Sequence, residues 1–368
     1  MKILIATGIY PPSIGGPATY SKILMEELPK RGIDVSLLSF DEVRHFPKGL
    51  SHILYFAKAL KRGRSVNLIY AQDPVSVGLP AMWAAKLLRK RFLLKVVGDY
   101  AWEQGMNRFG VRDLLDDFLE KPTPVYTTSV RVLRGVESYV AKQAERIIVP
   151  SRYLKKVVAT WGIPSERIEV IYNAFEGLPY RPEGEHRKVQ LLGRTIVSAG
   201  RLVPWKGFLA LVETMVELVK KFPALKLCII GEGPERNAIE RRIRQLELTR
   251  NVYLVGKVPR DSLFEYLRQA SVFALNTGYE GFSHQLLEVL ALGVPLVTTR
   301  VGGNPEIIED GVNGILVPYN DKHSLSIAIE RMLRDDDFAA SCIQNGREAV
   351  KKFTKEKMIN ELMDLLIT

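Results

Sequence analysis

Residues 279–295 read YEGFSHQLLEVLALGVP, and the elements this stretch joins decide the fold. It lies between two strand-like runs, SVFALN at 271–276 and PLVTTR at 295–300, and its spacing predicts a helix from about His284 to Leu292. Ser283 is placed as the N-cap, its hydroxyl accepting an amide of the first turn. The amides of His284 and Gln285, with the positive end of the helix dipole, then offer a site to an anion. Glu280 precedes Glu288 by eight residues. About a turn inside the helix, Glu288 would repel a phosphate and suits a vicinal diol such as a ribose. Glu280, in the loop before the helix, suits hydroxyls of a sugar beyond the phosphates. Standing alone, the segment reads more readily as a capped amphipathic helix with two surface glutamates.

The same grammar extends in both directions. TIVSAG, KLCIIG, NVYLVG, SVFALN, PLVTTR and ILVP are six strand candidates of the second half, with helices predicted near Phe208–Lys221, Pro234–Leu246 and Asp261–Ala270 between them. In the first half KILIAT, DVSLLS, NLIYAQ, RFLLKVVG and ERIIVPS are strand-like, with helices at Tyr20–Leu28 and Pro80–Lys90. Strands alternating with helices imply α/β domains whose parallel sheets are covered on both faces. Residues 176–193, EGLPYRPEGEHRKVQLLG, lose periodicity and collect Pro, Gly and charge, as a domain boundary does. A chain of 368 residues fits two domains, 1–180 and 190–354, and the cleft between them is the expected site.

Four loops of the second half follow strands. SAGRLVPWKGF places Arg201 and Lys206 where an Arg fork and a Lys point charge suit a diphosphate. In IIGEGPE, Gly231 and Gly233 permit close backbone approach, and Gly302 and Gly303 follow another strand. Each loop has a plain reading as a solvated charge or a turn; their convergence on one sheet edge favours a shared site. In the first half Gly15 and Gly16 of PPSIGGPATY lie between the first strand and a helix, open to a phosphate or an acceptor.

The GG loop, VPSRYLKK, IYNAFE, the GRLxxxKG stretch, GEGP, the E-x7-E segment and GGNPEIIEDGVNGILV together resemble the retaining nucleotide-sugar glycosyltransferases of the GT-B fold, family 4. The resemblance covers nearly the whole chain. It implies two Rossmann-like domains facing each other across a cleft, the N-terminal one for the acceptor and the C-terminal one for the donor. It also implies that the last helix, about 355–368, returns to the first domain. By position it assigns Arg201 and Lys206 to the donor diphosphate, Glu288 to the ribose, Glu280 to the transferred sugar, Gly15 and Gly16 to the N-terminal glycine loop, and the stretch Gly256 to Val258 to the neighbourhood of the base. Many members carry a His after the strand matching FLLKVVGDYAW; here Gly98 and Asp99 stand there, and Asp99 is a candidate for acceptor positioning or for a structural duty.

Transfer from a nucleotide sugar builds negative charge on the leaving diphosphate, which Arg201, Lys206 and the helix at Ser283 can stabilise without a metal or other cofactor. Asp335 and Asp337 in RDDDF suit helix capping better than metal binding. The motifs leave UDP-glucose, UDP-N-acetylglucosamine and GDP-mannose equally open as UDP-sugar or GDP-mannose donors. The expected acceptor is a glycan, a lipid-linked sugar or a lipid; an epimerase of the same architecture is the alternative, told apart by its product.

The composition excludes other classes. With 46% hydrophobic and 25% charged residues the chain is globular, and its apolar runs are too short to cross a bilayer. Two cysteines without zinc spacing fit a reducing cytoplasm. The net charge is +11, and residues 1–180 hold 26 Lys and Arg against 17 Asp and Glu. No nucleic-acid motif accompanies that excess. The excess reads as a solvated basic surface or as attraction to an anionic partner, and KALKRGR at 58–64 and KLLRKRF at 86–92 mix basic and apolar residues as segments at an anionic membrane surface do.

Overall fold

A computed structural model describes every residue except 14, 48, 176, 178–190, 192 and 368. The chain forms two compact units, Met1–Ala174 with Lys355–Thr368, and Phe175–Thr354. Most of the expected linker at 176–193 lies outside the described residues. The division itself falls between Ala174 and Phe175, ahead of that stretch.

In the first unit six strands are β1 (Lys2–Thr7), β2 (Asp34–Ser39), β3 (Leu68–Ala71), β4 (Arg91–Lys95), β5 (Arg146–Val149) and β6 (Ile168–Val170). They form one sheet in the order β2-β1-β3-β4-β5-β6, every pair parallel. β3 and the last five residues of β1 are wholly buried, as parallel strands covered on both faces must be. Ile3, Ile5, Tyr20, Leu24 and Leu93 share a core with Met358, Ile359 and Leu362 of the last helix, Lys355–Ile367. Arg91 fastens that helix, donating to the Leu366 carbonyl at 2.9 Å.

The second unit holds β7 (Thr195–Ala199), β8 (Lys226–Ile230), β9 (Val252–Gly256), β10 (Val272–Leu275), β11 (Leu296–Thr299) and β12 (Ile315–Val317), ordered β12-β11-β10-β7-β8-β9 and all parallel. From β7 the chain adds β8 and β9 on one side, then returns to place β10, β11 and β12 on the other. The order therefore reverses between β7 and β10, and ligands of such sheets bind at that switch point.

Two readings of the sequence differ from the structure. The three-residue β6 carries the half-exposed Glu169 and lacks the apolar run that marks its neighbours. The first helix spans Gly16–Glu27, four residues ahead of the expected start, because Pro17 suits the first turn, where an amide is dispensable. Gly16 therefore belongs to the helix, and only Gly15, at φ +155°, to the loop.

Candidate active site

The loops flanking the switch point of the second unit bring the predicted residues together. After β7, Arg201 sits 5.6 Å from the centre of the Trp205 ring, and Lys206 ends a short 3-10 turn, Pro204–Lys206. After β10 the chain runs to Glu280, and Lys206 and Glu280 are bound as an ion pair. Both side chains are mostly buried, at 17% and 14% exposure. The helix His284–Leu292 opens four residues beyond Glu280, so its partially positive N-terminus lies on the same sheet edge.

Buried polar groups stitch these two loops. Asn276 donates to the Gly207 carbonyl at 2.9 Å, and the Thr277 hydroxyl donates to the Trp205 carbonyl at 3.2 Å. Gly207, at φ +56°, must be glycine, since a Cβ there would lie 2.4 Å from the Asn276 carbonyl oxygen. The loop after β11 clamps Glu280 from the other side: the Gly303 amide donates to its carbonyl at 2.8 Å, and a Cβ on Gly302 would lie 2.1 Å from that oxygen.

Gly231 and Gly233 make their close approach within the protein. A Cβ on Gly231 would meet the Gly200 carbonyl at 1.8 Å, and one on Gly233 the Leu202 carbonyl at 2.3 Å. These glycines let the loop after β8 brace the loop of Arg201.

Glu288 faces the loop after β9. Its carboxylate binds Arg260 at 3.0 Å, and Arg260 opens the helix Arg260–Arg268 two residues beyond the half-buried Val258. Ser283 departs from expectation. It occupies the N-cap with an extended backbone, but its buried hydroxyl bonds no first-turn amide. The helix start is thus recruited by backbone geometry, with His284 and Gln285 as its half-buried first residues.

The first unit carries a cavity of about 440 Å³ at the carboxyl ends of β1, β3 and β4, bounded among others by Gly8, Pro17, Gln72, Asp73, Gly98 and Arg108. One Asp73 oxygen accepts backbone amides of Val75 and Ser76 at 2.8 and 2.5 Å. Burial outweighs those bonds and pushes its pKa up to about 6. Asp99 is absent from the lining. It is fully buried and caps the helix Tyr100–Arg108, accepting from the Trp102 amide at 2.8 Å and from the Trp161 indole at 3.3 Å. Burial raises its pKa as well. Of its two sequence readings the structural one holds, and acceptor positioning is withdrawn.

The sequence of residues 184–349 matches the family described as Glycosyl transferases group 1, and residues 14–176 match Glycosyltransferase Family 4. The chain is a glycosyltransferase of family 4. Among relatives of this glycosyltransferase, the N-acetyl-alpha-D-glucosaminyl L-malate synthase of Bacillus anthracis is 23% identical, over 98% of this chain and 96% of its own. The GDP-mannose-dependent alpha-(1-6)-phosphatidylinositol monomannoside mannosyltransferase of Mycolicibacterium smegmatis is 25% identical, over 94% and 92%. The fold matches that of Anabaena HepE, solved with UDP and glucose, at a TM-score of 0.76 with 19% identity and full coverage of both chains. The enzyme thus has the GT-B fold.

Sequence reasoning missed three residues of the second unit's site and one of the first unit's cavity. Arg260 is one of several charged residues on its helix, with Asp261, Glu265 and Arg268, and nothing in the sequence singles it out, while Asn276 and Thr277 look like loop polarity until they are found buried. Asp73, in the AQDP turn after β3, carried the signal of a carboxylate beyond a strand end.

Proposed function

We propose that the enzyme moves a hexose, with retention and without a metal, from a nucleotide-diphosphate sugar to a hydroxyl of a glycan, lipid-linked sugar or lipid. The observation that carries this reading is the meeting of Lys206, Glu280 and the N-terminus of the 284–292 helix at the switch point between β7 and β10.

In this reading Arg201 and Lys206 take the donor diphosphate as charge-assisted donors, and the helix N-terminus supplies further positive potential. Lys206 turns from Glu280 to the phosphates, which frees the Glu280 carboxylate for hydroxyls of the transferred sugar. The ribose diol replaces Arg260 as the partner of Glu288, and Val258 borders the base. As the anomeric bond breaks, negative charge grows on the leaving phosphate beside Arg201 and Lys206. The acceptor hydroxyl attacks the same face, and a leaving-phosphate oxygen takes its proton, so no separate base is required. The run Asp335–Asp337 serves the fold: Asp335 caps the helix Asp336–Val350, accepting from the Phe338 amide at 3.0 Å.

The test is turnover of nucleotide sugars by Lys206→Ala and Glu288→Ala, with products identified. Losses of tenfold or more in kcat/KM in each support the assignment; kcat/KM within a few-fold of wild type in both removes it. An isomerised nucleotide sugar, without transfer, would identify an epimerase.

A further inference from the structure

Three neighbouring helices of the first unit, Leu50–Gly63, Gly78–Leu88 and Thr128–Gln143, carry a surface the donor chemistry does not use. The first two contain no acidic residue, and the only one in the third, Glu137, is buried. From Val43 to Gly98 the sole acid is Asp73, which lines the cavity at the strand ends.

Large apolar side chains nevertheless point outward from all three. Ile53 and Leu87 are each 64% exposed, Val132 57% and Trp83 42%. The Trp83 ring lies 6.3 Å from that of Tyr139 and joins the second helix to the third, with the Lys86 ammonium 5.4 Å above it. At the end of the second helix a cavity of about 390 Å³ is lined by Lys86, Lys90, Arg91, Glu145 and Arg167 among others. Glu145 is its only acid and is forked by Arg91, with both bonds at 2.9 Å, so the remaining cations leave the cavity positive.

We infer that this face seats the enzyme on an anionic lipid bilayer, with Ile53, Trp83, Leu87 and Val132 entering the interface and headgroup phosphates meeting Lys86 and Lys90. Apolar knobs ringed by amines, with Trp and Tyr among them, match the boundary between headgroups and acyl chains. A second copy of this face would bring like charges together, and a nucleic-acid backbone would leave the aliphatic knobs without partners. The inference deepens the proposed function by making the acceptor a membrane-borne one, and it rests on that reading only there.

The test is flotation of the full-length protein with phosphatidylcholine vesicles, with and without phosphatidylglycerol, at low ionic strength. Binding is expected only with phosphatidylglycerol, weakened roughly thirtyfold by Lys86→Gln with Lys90→Gln, since each surface lysine contributes about fivefold. Trp83→Ala with Leu87→Ala should weaken it as well, by a loss that persists at raised salt. Absence of binding, equal binding to neutral vesicles, or binding untouched by both double variants overturns the inference. So does a dimer that Trp83→Ala with Leu87→Ala dissolves while vesicles go unbound. Nucleotide-sugar turnover, measured in parallel, separates the readings: a protein that turns over donor without binding vesicles refutes only the membrane face, and the converse refutes only the proposed reaction.

Discussion

The loop edges of the two units are built for different tasks. In the second unit two carboxylates each hold a cation, Lys206 on Glu280 and Arg260 on Glu288, within loops that glycines and buried amides lock together. The edge of the first unit is a cavity lined by two carboxylates, Asp73 and Glu103, of which Asp73 is held by backbone amides and has no cation among its hydrogen-bond partners. Paired charges on braced loops suit a constant, charged ligand such as a diphosphate, whereas an open cavity suits a partner that varies.

The comparison predicts unequal sensitivity. Glu280→Ala should act most strongly, lowering kcat by roughly a hundredfold to a thousandfold, the scale for a group that meets the reacting sugar. Steady-state kinetics with the preferred donor would read it. Glu288→Ala should raise the donor KM about tenfold with a smaller change in kcat, because a ribose contact serves ground state and transition state alike. If Glu288→Ala lowered kcat as much as Glu280→Ala, the separate duties of the two carboxylates would collapse into one.

In the first unit Asp99→Ala should cost about 1–2 kcal/mol of stability, the usual loss for a helix cap, and leave the donor KM unchanged. Denaturant unfolding read beside kinetics would sharpen the contrast between a structural and a binding carboxylate. A further effect concerns pH. Because the folded protein holds the Asp73 proton up to about 6 and the unfolded chain releases it near the ordinary carboxylate value, Asp73 lowers stability as pH rises between roughly 4 and 6. Asp73→Asn keeps an oxygen for the Val75 and Ser76 amides and should flatten that part of the stability profile.

How much of this was legible follows from what sequence patterns encode. Buried parallel strands are aliphatic runs, so β7, β10 and β11 announce themselves, while β6, three residues long with Glu169 at its centre, does not. Arg201, Lys206, Glu280 and Glu288 were legible because their spacing from strand ends fixes which sheet edge they reach. Side-chain direction was not. Asp99 and Glu280 both follow strands, yet one turns inward to cap a helix and the other meets a lysine. Ser283 had the sequence of a cap without its hydrogen bond, and Arg260 became visible only when the helices after β9 and β10 came together.

The central claim, that the loops after β7 and β10 hold the donor through protein cations alone, is tested most directly by titrating UDP and GDP calorimetrically into wild-type enzyme and Lys206→Ala in the presence of EDTA. The account predicts that one of the nucleotides binds wild type under chelation and binds Lys206→Ala at least tenfold more weakly. Binding that vanishes with EDTA and returns with manganese, or that ignores the loss of Lys206, would contradict it.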